Sequence, residues 1–270
     1  MRFLLASAIA CSLSFALPGS GEAQLLPPNE AGLTMGHVHL NVTDIEAHKK
    51  FWTEHFGATP LAKEGLQGVR VPGMLILLTK RDPTHATQGT VLDHFGFKVR
   101  SLPEMLVSFR AAGVTVQSEF KGNEGFPNAY VVGPDNVRIE MQEDTTLPVR
   151  AASHHLHYML ADPMAHRTWY VEKLALTATR RGTFETANAS GMNLTFSPSK
   201  TSPPVGTRGG SLDHVGFEVK DLEAYCKKLE ASGITLDVPY RKVPNLGIAI
   251  AFLTDPSGVY IELTEGLGAY

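Results

Sequence analysis

A fourfold internal repeat constrains this chain more than any other feature. "HVHLNVTD" from His37, "HFGFKVRS" from His94, "HLHYMLAD" from His155 and "HVGFEVKD" from His214 each begin on a histidine and alternate as a strand does. The four histidines are 57, 61 and 59 residues apart. Each strand leads into a helical pattern: "AHKKFWTEHFGAT" (47–59) matches "AHRTWYVEKLALT" (165–177), and "LPEMLVSFRAAGVTV" (102–116) matches "LEAYCKKLEASGITL" (222–236). In the second pair, apolar residues recur at three- and four-residue intervals up to Gly113 or Gly233, the pattern of a helix closed by a left-handed glycine. Strand-like runs follow. The even units end in "AYVVGPDNVRIEMQE" and "AFLTDPSGVYIELTE", a strand, a proline turn and a strand. The chain therefore reads as an α+β protein of four β-α-β-β-β units.

"QEDTTLPVRAAS" (142–153) is polar, contains Pro148 and has no period, so it reads as a linker. This predicts a first domain of two units over 35–143, a linker over 144–152 and a second domain of two units over 153–270. Residues 24–34 form an N-terminal extension. Residues 1–23 read as a cleavable signal peptide, with Arg2 ahead of an apolar run over 3–17 and cleavage expected after Ala23, which implies a secreted or periplasmic protein. Serines interrupt that run before it reaches the length of a membrane anchor, and nothing after it is apolar enough to span a bilayer. Removal of the leader leaves one cysteine, Cys226, so no internal disulfide staples the fold. With a formal net charge of −3 and no block of lysine or arginine, the chain lacks the concentrated basic face that nucleic acid requires.

The histidines fall into a pattern of their own. Side chains two apart on a strand share a face, so His37 and His39 point together, as do His155 and His157. The matching positions in the even units are His94 with Gly96 and His214 with Gly216. Each half thus offers three histidines, with a glycine leaving space where a fourth side chain would stand. Glu140 follows His94 by 46 residues and Glu262 follows His214 by 48. Strand periodicity turns these carboxylates inward, where a charge is costly without compensation. A lone inward histidine is usually a hydrogen-bonded core residue, but the same His, His and Glu recur in both halves. Neutral imidazoles with a carboxylate are the donor set of a divalent first-row metal, and two His with one carboxylate leave positions open for water, substrate or oxygen.

On these motifs the chain resembles the vicinal oxygen chelate superfamily: glyoxalase I, ring-cleaving extradiol dioxygenases, and fosfomycin- and bleomycin-resistance proteins. The resemblance covers essentially the whole chain after the leader and is most specific in "HVHLNVTD", "LDHFGFKV", "LDHVGFEV" and "DPSGVYIEL". It implies units paired into two cup-shaped domains, each around a divalent metal. The metal residues it implies are His37, His94 and Glu140 in the first half and His155, His214 and Glu262 in the second. Two departures matter. Leu77 and Thr195 stand where glyoxalase I-like enzymes are expected to carry a further ligand, so the ligand count fits ring-cleaving dioxygenases better. Those enzymes, however, are expected to place a histidine and a tyrosine before the proline turn, where the second half has Phe252 and Leu253 and the first half only Tyr130. His39 and His157 are candidate acid/base groups, with a fourth ligand or cup lining as the alternatives. Tyr130 is a weaker catalytic candidate, and Tyr158 and Asn41 are weaker still as pocket residues.

The expected function is that of an exported, divalent-metal-dependent enzyme that chelates neighbouring oxygens of a small organic substrate. Iron(II) with oxygen would make it a dioxygenase, the favoured expectation; manganese, zinc or nickel would suit a lyase or isomerase. The alternative from another class is a non-catalytic protein that binds a small molecule such as a drug. A homodimer is compatible with the sequence.

Overall fold

The computed structural model describes residues 25–61, 65–200 and 204–270; the signal peptide expected over 1–23 lies outside the described residues. Four β-α-β-β-β units are present, as the repeat predicts. Unit 1 comprises β1 (Leu33–Val42), α1 (Ile45–Phe56), β2 (Thr59–Pro60), β3 (Gly68–Val71) and β4 (Met74–Lys80). Unit 2 comprises β5 (Leu92–Val99), α2 (Leu102–Ala111), β6 (Thr115–Lys121), β7 (Pro127–Val132) and β8 (Arg138–Glu143). Unit 3 comprises β9 (Ala151–Leu160), α3 (Pro163–Lys173), β10 (Thr177–Arg181), β11 (Phe184–Ala189) and β12 (Met192–Pro198). Unit 4 comprises β13 (Leu212–Val219), α4 (Leu222–Ala231), β14 (Val238–Val243), β15 (Ile248–Thr254) and β16 (Tyr260–Glu265).

The last residue of each repeated motif starts the helix that follows. Asp44, Ser101, Asp162 and Asp221 are the N-caps, each accepting from backbone N–H groups of the first turn. Gly113 and Gly233 adopt the expected left-handed conformation just beyond α2 and α4. Among the described residues no helix is long and apolar enough to cross a membrane.

The units combine differently from the expected halves. One eight-stranded sheet runs β14-β15-β16-β13-β1-β4-β3-β2 and joins unit 1 to unit 4; the other runs β10-β11-β12-β9-β5-β8-β7-β6 and joins unit 2 to unit 3. The expectation of one cup per half is therefore overturned. The segment expected to separate two domains connects β8 to β9, two strands of one sheet with only β5 between them. We call the unit 1–4 sheet the first cup and the unit 2–3 sheet the second. The second sheet curls until its margins meet: Asn123 in the β6–β7 loop donates to Thr183 Oγ1 at 2.6 Å in the β10–β11 turn, and Glu124 pairs with Arg181 at 3.0 Å.

The halves survive on the helix side. Trp52 and Phe56 of α1 pack against Phe95 and Phe97 of β5, and Phe56 also meets Phe109 of α2. His48 of α1 bonds Asp135 in the unit 2 proline turn at 3.0 Å. In the other half His166 and Tyr170 of α3 bond Asp255 of unit 4 at 2.8 and 2.9 Å. One continuous apolar core drawn from all four units lies on this face. Val137, Ile139 and Met141 belong to it, so Glu140, alternating with them on β8, faces the concave side of the sheet.

Candidate metal centres

Register carries each histidine pair to its partners. In the first cup His37 lies opposite Gly216, His39 opposite His214, and Gly216 beside Glu262. In the second, His155 lies opposite Gly96, His157 opposite His94, and Gly96 beside Glu140. The glycine space is filled by the facing imidazole: a Cβ at Gly216 would collide with the His37 ring and one at Gly96 with the His155 ring. Glu262 Oε2 sits 2.9 Å from His37 Nε2 and 3.1 Å from His214 Nε2. Glu140 Oε2 sits 2.9 Å from His94 Nε2 and 3.2 Å from His155 Nε2. His39 completes the first cluster and His157 the second, with one potential ligand atom per residue lying within 4.8 Å of the others.

All eight residues thus converge, but not in the expected sets. His37 groups with His214 and Glu262 instead of His94 and Glu140, and His155 groups with His94 and Glu140 instead of His214 and Glu262. The cause is the strand order, which sets odd units against even units from opposite halves.

Second contacts fix the ring orientations. Asp93 accepts at 2.7 Å from His94 Nδ1 and Asp213 at 2.6 Å from His214 Nδ1, leaving each Nε2 directed at the glutamate. Thr79 Oγ1 lies 2.7 Å from His39 Nε2, and Ser197 Oγ lies 2.8 Å from His157 Nε2. These supporting residues escape sequence reading, although the aspartates had a signal: "LDH" opens both even units.

Burial would raise the Glu140 carboxyl, but His155 and His94 outweigh it and hold the group well below the usual carboxylate range. Burial likewise opposes a low value at Glu262, where His214 and His37 win. Burial lowers His157, and His94 and His155 lower it further; His39 is lowered by burial, His214 and His37. His155 is pushed down to about 4 by burial against the pull of Glu140. His94 and His214 move the other way, because their carboxylate neighbours overcome desolvation. The clusters therefore combine ionised carboxylates with imidazoles, of which His39, His155 and His157 are held toward the neutral form that keeps a lone pair.

This donor set fits a divalent cation. Three imidazoles and a carboxylate converge on one buried point, and the Nδ1 atoms of His39 and His157 are buried with no hydrogen-bond partner among the described residues. An unpartnered buried ring nitrogen beside such a cluster is what a ligand or a proton acceptor requires.

The cups differ in lining. Leu75 and Leu77 in the first pack with Leu25, Leu61, Leu66, Leu267 and Tyr270 into a small separate apolar cluster, and the cavity beside His39 and His214 measures about 350 Å³. Paired beside His155 and His157 in the second are Asn193 and Thr195, both bonded by Arg181, and the cavity measures about 630 Å³. Tyr130 lines that larger cavity, edge-on to His94 and beneath the Arg138 guanidinium. Burial and Glu140 push its phenol up, so it suits hydrogen bonding better than proton abstraction. Asn41 reaches the first cavity and bonds Asp213 at 3.0 Å. Tyr158 lines neither of these two cavities; it is fully buried against Tyr170 and Phe196.

Comparison with known proteins agrees with this architecture. Two stretches, 34–141 and 152–263, match the Glyoxalase/Bleomycin resistance protein/Dioxygenase superfamily, and the chain belongs to that family. It is 22% identical over 295 residues to lactoylglutathione lyase of Schizosaccharomyces pombe, covering 86% of this chain and 96% of that one. Glyoxalase I from Zea mays shares the fold with a TM-score of 0.68 at 15% identity, over 88% of this chain and 94% of that one. A Bacillus subtilis putative dioxygenase does so at 0.64 and 11% identity, over 86% and 84%.

Proposed function

We propose that this protein is an exported, divalent-metal-dependent lyase or isomerase of the glyoxalase type, acting on a small substrate with neighbouring oxygens. His37, His214 and Glu262 would hold the ion in the first cup, and His155, His94 and Glu140 in the second. Bound there, a divalent ion supplies Lewis-acid stabilisation of negative charge developing on substrate oxygen. The observation that carries the reading is the buried, unpartnered Nδ1 of His39 and of His157, each beside its cluster and each with Nε2 anchored on a hydroxyl. With Nε2–H donating to Ser197 or Thr79, Nδ1 presents a lone pair that can take a proton from substrate carbon and return it to the neighbouring atom. A third imidazole so near also weakens the three-ligand count that favoured a dioxygenase. The fission-yeast relative is named for lactoylglutathione, an α-hydroxyacyl thioester, which points to 2-oxoaldehydes and their thiol adducts as substrates.

The test is anaerobic turnover of 2-oxoaldehydes, with and without a thiol, after loading with zinc, nickel, manganese or iron(II). Conversion without oxygen is the expected result. Oxygen uptake with catechols and no reaction of the oxoaldehydes would replace this reading with the dioxygenase one. Export rests on residues 1–23, and N-terminal sequencing of protein from the cell exterior, expected to begin at Gln24, tests it.

A further inference from the structure

Accepting the cation sites just proposed, the geometry points to two centres of unequal strength, with His154 and Asn128 as positioning residues that make the second cup the tight one. The two ligand clusters are alike, but their supports are not. In the second cup Asn128 Nδ2 donates to Glu140 Oε1 at 2.6 Å, leaving Oε2 for His94 and His155. In the first cup the same register position, two residues before the strand partner of the glutamate, is Ile250. Its side chain offers no donor, so Glu262 Oε1 lacks the matching support.

The bulge before each odd-unit histidine differs in the same direction. Pairing skips His154 between Ser153 and His155, and skips Gly36 between Met35 and His37. His154 Nδ1 lies 3.1 Å from His155 Nδ1. When a cation takes the lone pair of His155 Nε2, the ring's proton sits on Nδ1 and His154 Nδ1 accepts it, which fixes tautomer and ring plane together. Gly36 has no side chain to do this in the first cup, and a Cβ there would press on the backbone of Gly216 and Glu218. His37 Nδ1 is accordingly buried with no partner among the described residues.

Outer contacts of this kind are worth about 10–100-fold in metal affinity each. The test is Zn(II) titration of the purified chain against a competing chromophoric chelator. Two ions should bind in classes separated by about tenfold or more. Glu140→Ala should remove the tight class and Glu262→Ala the weak one. His154→Ala and Asn128→Leu should each weaken the tight class and leave the weak class in place, whereas a general loss of structure would weaken both. Ile250→Asn should strengthen the weak class alone. Equal classes in the wild type, loss of the tight class in Glu262→Ala, or equal weakening of both classes by His154→Ala overturns the inference while leaving the metal reading intact. Absence of bound zinc in every form overturns the metal reading itself.

Discussion

Ala175 holds a left-handed backbone, φ 54°, at the position where unit 1 has Gly57 at φ 69°. An L-residue there crowds its own carbonyl and costs roughly 1–2 kcal/mol, which glycine avoids. Ala175→Gly should therefore stabilise the protein by about 1 kcal/mol, raising Tm by about 2–4 °C for a chain of this size; calorimetry checks it, and an unchanged or lower Tm would contradict the strain. Ser197 matters for chemistry instead. Its hydroxyl anchors His157 Nε2 at 2.8 Å, so Ser197→Ala frees the ring to choose the wrong tautomer. Measured in a Glu262→Ala background, where the first cup is disabled, the expected result is a kcat lowered roughly tenfold with KM little changed, restored by Ser197→Thr. Equal activity in all three forms would remove His157 from proton transfer.

At the scale of elements, what was legible was local. Asp44, Ser101, Asp162 and Asp221 close each motif because a strand must stop and a helix must be capped there. The histidine pattern also limits sheet pairing: a strand reading His-x-His needs a neighbour reading His-x-Gly, since two rings cannot share one place. That rule forbids unit 1 with unit 3 and unit 2 with unit 4. It leaves two solutions, and nothing in the near-equal spacings chooses between them. The hydroxyl anchors were hidden for a related reason, because Thr79 and Ser197 depend on a parallel register that only the folded sheet fixes. The His-over-Gly fit gives a direct test. Gly96→Ala should displace the His155 ring and reduce metal content by one ion per chain, and Gly216→Ala should do the same in the other cup through His37. Two ions retained in either variant would mean that the ring can yield without losing the site.

Seen whole, the molecule is a ring of four units joined alternately by two kinds of surface. Helix-side packing links unit 1 to unit 2 and unit 3 to unit 4, while sheet pairing links unit 2 to unit 3 and unit 4 to unit 1. Cutting at the β8–β9 connection leaves the helix-side cores in place but strips β1 and β5 of their antiparallel partners β13 and β9. Each exposed edge bears buried-type apolar residues and unpaired backbone groups, a strong template for another strand. β1 carries His37 and His39, and β5 carries His94 and Gly96, so these edges are complementary by the odd-with-even rule. A half-chain of residues 25–146 should therefore form a symmetric homodimer in which β1 of one copy pairs with β5 of the other. His37 of one copy would then face His94 and Glu140 of its mate, giving two shared sites per dimer. Sedimentation and zinc stoichiometry test this, with a dimer binding one ion per copy expected. A folded half-chain that stays monomeric would show that the first strands are not interchangeable, and that the choice between the two pairings is written into their side chains.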